Sequence, residues 1–135
     1  MAEGESWLLV DDVARRYRVA PYTVRTWLRA GVLRGRVMAG HWVTTWDAVF
    51  LFEGRLTPPA PGPQREEAKR PLLTIADIAA HLRISPDAAQ RRCRSGAIAA
   101  RKIRGSWYAD REALRDHDRA LLPELVAGPD ANNAP

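Results

Sequence analysis

The chain repeats itself. A shift of 65 residues lays positions 8–49 on 73–114 without a gap, and eleven of the 42 pairs are identical. They are Leu8/Leu73, Asp12/Asp77, Ala14/Ala79, Arg18/Arg83, Pro21/Pro86, Arg29/Arg94, Gly31/Gly96, Arg36/Arg101, Gly40/Gly105, Trp42/Trp107 and Ala48/Ala113. Others are conservative, among them Val13/Ile78 and Val19/Ile84. Self-similarity at such a period means one supersecondary unit used twice. The 135 residues therefore divide into two very small modules, expected at 6–54 and 72–122.

Between them, residues 57–63 read Thr-Pro-Pro-Ala-Pro-Gly-Pro and lead into the charged run 64–70. Such a composition favours an extended, stiff polyproline-type connection, so 55–71 is expected as a linker. The segment 123–135, mostly Ala, Gly, Pro, Asn and acid, is expected to be a frayed tail.

Each module carries the same punctuation. In the second, Thr74 followed three residues on by Asp77 is a capping-box pattern, and Ile75, Ile78, Ala79 and Leu82 share one helical face. Ser85-Pro86-Asp87 starts a second helix, which Gly96 closes. Ile98 to Tyr108 gives two short strands about Arg104-Gly105-Ser106, and Arg111 to Leu122 a last helix. The first module repeats this: a helix from Asp11 to Arg18, another from Pro21 to Ala30 closed by Gly31, a hairpin about Ala39-Gly40-His41, and a helix from Trp46. The expected fold class is mainly α with small β-hairpin wings, arranged as two tandem winged helix-turn-helix modules.

The stretches Ile75-Ala76-Asp77-Ile78-Ala79, Ile84-Ser85-Pro86, Ser95-Gly96-Ala97-Ile98, Gly105-Ser106-Trp107-Tyr108 and Arg111-Glu112-Ala113-Leu114 resemble the small MerR-like, excisionase-like DNA-binding domains. Module one is similar through Val13-Ala14, Val19 to Trp27, Ala30-Gly31-Val32-Leu33 and Gly40-His41-Trp42. The resemblance implies double-stranded DNA as partner, with the second helix in the major groove and the wing on the backbone or minor groove. It places Tyr22, Thr23, Arg25, Thr26 and Arg29 on the first recognition helix, with Arg36 and His41 on its wing. In module two the matching residues are Asp87, Ala88, Gln90, Arg91 and Arg94, then Arg101, Lys102, Arg104 and Ser106. Arg92 departs from the aromatic at Trp27, so the second module is expected to read DNA differently.

Charge distribution points the same way without the resemblance. Net charge is +5, and the basic residues are arginines apart from Lys69 and Lys102. Val13 to Trp46 holds seven arginines and no acid; Ala88 to Ala109 holds five arginines, one lysine and no acid. Acid-free zones on the second helix and wing of both modules are the footprint of a phosphate-contacting surface.

Other chemistry lacks its residues. Cys93, the only cysteine, pairs with Leu28 in the repeat and is expected to be buried. His41, His81 and His117 show no metal-ligand spacing. The consecutive Asp116-His117-Asp118 cannot converge as a triad. Neither a Gly-rich phosphate loop nor a nucleophile motif occurs, so no enzyme, cofactor or metal is expected. Trp27, Trp42 and Trp107 are expected in the core. The apolar run Trp46, Val49, Phe50, Leu51, Phe52 exceeds what a surface helix needs, and Trp46, Phe50 and Phe52 are expected to contact the other module or a second chain. Without an 18-residue apolar run or an apolar leader, the expected place is the cytoplasm, on the nucleoid. With no length for an effector domain, no small-molecule effector is expected. The leading expectation is a small bacterial or phage transcriptional regulator reading a bipartite site. An excisionase-like architectural factor that bends DNA, or a protein adaptor that has lost DNA contact, are the alternatives.

Overall fold

In this computed structural model, which describes residues 5–127, the elements run β1 (Leu8–Leu9), α1 (Val10–Tyr17), α2 (Pro21–Ala30), β2 (Arg36–Met38), β3 (His41–Thr44) and α3 (Trp46–Phe52). They continue as α4 (Pro63–Ala68), β4 (Leu73–Thr74), α5 (Ile75–Leu82), α6 (Pro86–Ser95), β5 (Arg101–Ile103), β6 (Ser106–Ala109) and α7 (Arg111–Ala127). The chain divides into two units, one ending at Leu72 and the other starting at Leu73.

Proline and glycine bracket α2 and α6. Pro21 and Pro86 occupy the first helical turn, where their missing N–H is no loss. Gly31 (φ 78°) and Gly96 (φ 89°) end the helices in the left-handed region. Asp77 Oδ2 accepts from the backbone N of Thr74 at 2.9 Å while Thr74 Oγ1 accepts from Asp77 N at 3.2 Å, a complete capping box. In the first unit only half of it survives. Asp12 Oδ2 accepts from Leu9 N at 2.9 Å, and Leu9 has no hydroxyl to return the bond.

Each hairpin turns through two residues with positive φ, Ala39-Gly40 and Arg104-Gly105, the pattern that matches strand twist. A two-residue strand precedes each first helix, so each sheet has three antiparallel strands, in the order β1-β3-β2 and β4-β6-β5. Leu8 pairs with Thr44, and Leu73 with Ala109. The cores are separate. Val13, Tyr17, Val24, Leu33, Val49 and Phe50 are fully buried in the first unit, and Ile78, Ala89, Cys93, Ile98 and Leu114 pack in the second.

Three expectations need correction. Residues 55–71 are not an extended connection throughout. Residues 63–68 form α4, and its Arg65 is buried, donating to both Glu5 carboxylate oxygens at 2.7 Å, to Asp47 at 2.9 Å and to the Pro59 carbonyl at 2.8 Å. Arg16 donates to the Arg70 carbonyl at 2.9 Å and accepts through its own carbonyl from Leu72 N at 3.1 Å. Polyproline-type sequence leaves its backbone open, and here acids and carbonyls of the first unit take up its cations.

Second, Phe50 and Phe52 at the apolar end of module one pack within their own unit, while Leu51 stays 47% exposed. Phe50 is fully buried and stacks on Trp46 at 5.5 Å, with Arg16, Arg55 and Arg65 lying 5.2–5.6 Å from its ring. Phe52 packs against Tyr17 at 5.7 Å and Trp27 at 5.0 Å. Cations lie over the Phe50 and Trp46 rings, a form of burial that apolar patterning does not register. Third, α7 runs through Pro123 to Ala127. Pro123 interrupts one backbone bond of a helix that the good formers after it continue. The rest of the expected tail, residues 128–135, lies outside the described residues.

Candidate nucleic-acid interface

In both units the second helix and the wing present the basic side chains. On α2, Tyr22 is 67% exposed, Arg25, Thr26 and Arg29 are exposed and Thr23 is half-buried. Val24, Trp27 and Leu28 face inward. The helical period thus separates a packing stripe from a polar face carrying two arginines. The Thr26 hydroxyl donates back to the Tyr22 carbonyl at 3.1 Å, which leaves its lone pairs outward.

On the wing, Arg36 and His41 are exposed. Arg25 and His41 line one groove with Leu9, Val10, Asp11, Gly40 and Trp42, so helix and wing meet there. Arg29 and Arg36 lie outside that groove. The Arg36 guanidinium sits 5.3 Å from the ring of Trp7, itself 37% exposed. That cation–ring contact leaves the Arg36 side chain exposed on the wing.

In the second unit Arg91 and Arg94 are exposed on α6, Gln90 is half-buried, and Arg101, Lys102 and Arg104 are exposed on the wing. Lys102 Nζ lies 5.9 Å from the Trp107 ring. Arg104 adopts φ 50° in the turn itself. Asp87 is exposed in the first turn of α6, whose N-terminus is capped by Ser85 Oγ accepting from Ala88 N at 3.1 Å. The cap is therefore served by Ser85, and Asp87 adds a favourable charge to the helix start.

Not every basic residue in the acid-free zones serves this face. Arg16 is 3% exposed and donates to Glu53 at 2.6 and 3.1 Å. Burial disfavours its charge, but the bond and charge of Glu53 outweigh that and hold its pKa above the ordinary value. Tyr17, which also donates to Glu53, is pushed up by burial and by that carboxylate. Arg15 pairs with Asp12.

Arg92 sits where the first unit has Trp27. Its Nη1 lies 3.1 Å from His117 Nε2. An arginine can only donate, so Nε2 accepts and the ring proton sits on Nδ1, 3.4 Å from Asp118 Oδ1. Asp118 in turn meets His81 Nε2 at 2.8 Å, and chiefly that bond lowers its pKa. Asp116-His117-Asp118 thus forms no triad, yet His117 and Asp118 tie three helices together, which adjacency in sequence concealed. Cys93 is buried and its thiol pKa is raised by burial. Trp27 is buried, whereas Trp42 and Trp107 are half-buried on their wings. Among the described residues no group of three potential ligands could hold a metal, and no helix is long and apolar enough to cross a membrane.

Residues 72–117 match the family model of a helix-turn-helix domain. The matched stretch runs from β4 into α7. Neither a curated protein nor a solved structure matches the chain.

Proposed function

We propose that this protein binds double-stranded DNA with both units, as a small bacterial or phage transcriptional regulator reading a bipartite site. The observation that carries the reading is the exposed polar face of α2, with Tyr22, Arg25, Thr26 and Arg29, beside a wing bearing Arg36 and His41. Arg25 has the length and fork to meet a guanine edge, while His41 borders the same groove. The helix-turn-helix match over 72–117 supports the same role for α6, with Gln90, Arg91 and Arg94 as readers and Arg101, Lys102 and Arg104 on the backbone.

The two readers differ. Positions holding Tyr22, Arg25, Thr26 and His41 in one unit hold Asp87, Gln90, Arg91 and Ser106 in the other. Half-sites of unlike sequence follow from that difference, because arginine favours guanine and glutamine favours adenine. Selection of binders from a random duplex library, followed by anisotropy titration across salt, tests the reading. The expected result is a two-part motif and an affinity falling with salt at a log–log slope of about −0.9 per phosphate neutralised. Absence of binding at low salt leaves the adaptor role instead.

A further inference from the structure

Stretched as a polyproline-type chain, residues 55–71 would span roughly 50 Å. The first unit takes that length up. The Arg65 side chain is 3% exposed; its Nε and Nη2 donate to the two Glu5 oxygens, and its Nη1 to Asp47 and to the Pro59 carbonyl. Lys69, one turn further along, also pairs with Glu5. Arg16 then donates to the Arg70 carbonyl, and Leu72 N–H donates to the Arg16 carbonyl. All these partners belong to the first unit. The next residue, Leu73, already pairs with Ala109 in the second sheet. The last residue held by one unit and the first held by the other are therefore consecutive, with about 3.8 Å between their Cα atoms.

A guanidinium leaves water only where its carboxylates are in place, so α4 docks through Arg65 or not at all. The repeat does not include this lock. Sixty-five residues on from Glu5 and Arg65 stand Arg70 and Asp130. The second unit nevertheless builds the same helix pair and the same three-stranded sheet. The lock therefore serves the connection and not the winged fold.

Two linked readers gain avidity only where their connection lets both engage, and lose it where it does not reach. We infer that Arg65 is a specificity-determining residue that never touches DNA: by docking α4 it takes the slack out of the connection, so that the protein accepts a narrow range of gaps between its two half-sites. The inference rests on the two-unit DNA reading proposed above.

The test uses the full-length chain and duplexes carrying the selected two-part motif, with the gap either as selected or widened by one helical turn, about 34 Å. Sixteen Gly/Ser residues, which reach at most about 50 Å, are inserted at one of two places. One is between Leu72 and Leu73, downstream of the docked α4; the other is beside Leu56, which is 97% exposed and lies upstream of it. Wild type is expected to lose roughly a hundredfold in affinity on the widened duplex. The downstream insertion is expected to lose less than about tenfold, and the upstream insertion as much as wild type. Glu5→Gln combined with Asp47→Asn takes both carboxylates from Arg65 and is expected to behave as the downstream insertion does. Circular dichroism checks its fold, and should it not fold, the two insertions decide alone. Equal tolerance of both gaps by wild type overturns the inference. So does an upstream insertion that relaxes the gap as far as the downstream one, a downstream insertion that leaves the gap strict, or a folded double variant with the wild-type preference. Wild-type protein that binds no duplex at low salt, or binds one half-motif as tightly as both, overturns the two-unit reading itself.

Discussion

His81 Nε2 lies 2.8 Å from Asp118 Oδ2, and the same two positions of the first unit, 65 residues earlier, hold Arg16 and Glu53, joined at 2.6 Å. Both pairs tie the first helix of a unit to the helix after its wing, Asp118 from within α7 and Glu53 from the C-terminal cap of α3. Their surroundings are opposite: the side chains of Arg16 and Glu53 are 3% and 1% exposed, those of His81 and Asp118 51% and 41%. The neighbouring positions follow suit. Tyr17, Trp27 and Phe52 form an aromatic cluster in the first unit, and Leu82, Arg92 and His117 replace them in the second. One helix clasp is thus built from a buried ion pair among rings, and again from a polar chain near water.

That contrast sets unequal costs. Glu53→Gln leaves the Arg16 charge buried without its carboxylate, so a loss of about 3–5 kcal/mol is expected. Asp118→Asn breaks an exposed pair and should cost less than about 1 kcal/mol. Urea unfolding of each variant measures both. Equal losses would contradict the difference in burial.

Acid should act on the first unit through Glu5. Hydrogen bonding from Arg65, helped by Lys69 and set against burial, brings its pKa from 4.5 to about 2. A depressed carboxylate pKa stabilises the fold fully above the unfolded value and loses that contribution as pH falls through the folded value. Stability measured against pH should therefore drop between about 4.5 and 2, and Glu5→Gln should flatten that part of the curve. A variant with the wild-type acid slope would remove Glu5 from the account.

Base readers and backbone contacts should separate by specificity. Arg25→Ala and Arg29→Ala are each expected to cost roughly 1–3 kcal/mol in binding, and at least one to relax base preference. Arg36→Ala should weaken target and random duplexes alike. Competition titrations with both duplexes read the difference; wild-type behaviour in both helix variants would displace the readers from α2.

Gly35 predicts a packing coupling. A Cβ there would stand 2.6 Å from Leu28 Cδ2 and 2.6 Å from the Val43 carbonyl oxygen. The second unit has Ala100 at that position and the smaller Cys93 where the first has Leu28. Gly35→Ala should cost about 1–3 kcal/mol. Adding Leu28→Cys should return part of it, a coupling of at least about 0.5 kcal/mol in a double-mutant cycle. Strict additivity would leave the Val43 carbonyl as the whole obstacle.

What the sequence by itself determined is local. The bounds of α2 and α6 follow from Pro21 with Gly31 and Pro86 with Gly96, and the wings from Ala39-Gly40 and Arg104-Gly105, because φ preferences act within a few residues. The polar face of α2 was legible for the same reason, since helical period alone separates Arg25 and Arg29 from Trp27 and Leu28. Tertiary structure decided the rest. The strands β1 and β4 are two residues each, too short for a period, and exist only through pairing with β3 and β6. Residues 63–68 read as linker until Glu5 and Asp47, distant in sequence, neutralise Arg65. Arg16 read as part of a phosphate-facing surface until Glu53 and Phe50 enclosed it. A charge shows its sign in the sequence, but its environment depends on which distant carboxylate or ring the fold brings within a few ångströms, and burial then decides whether that charge binds a partner or holds the core.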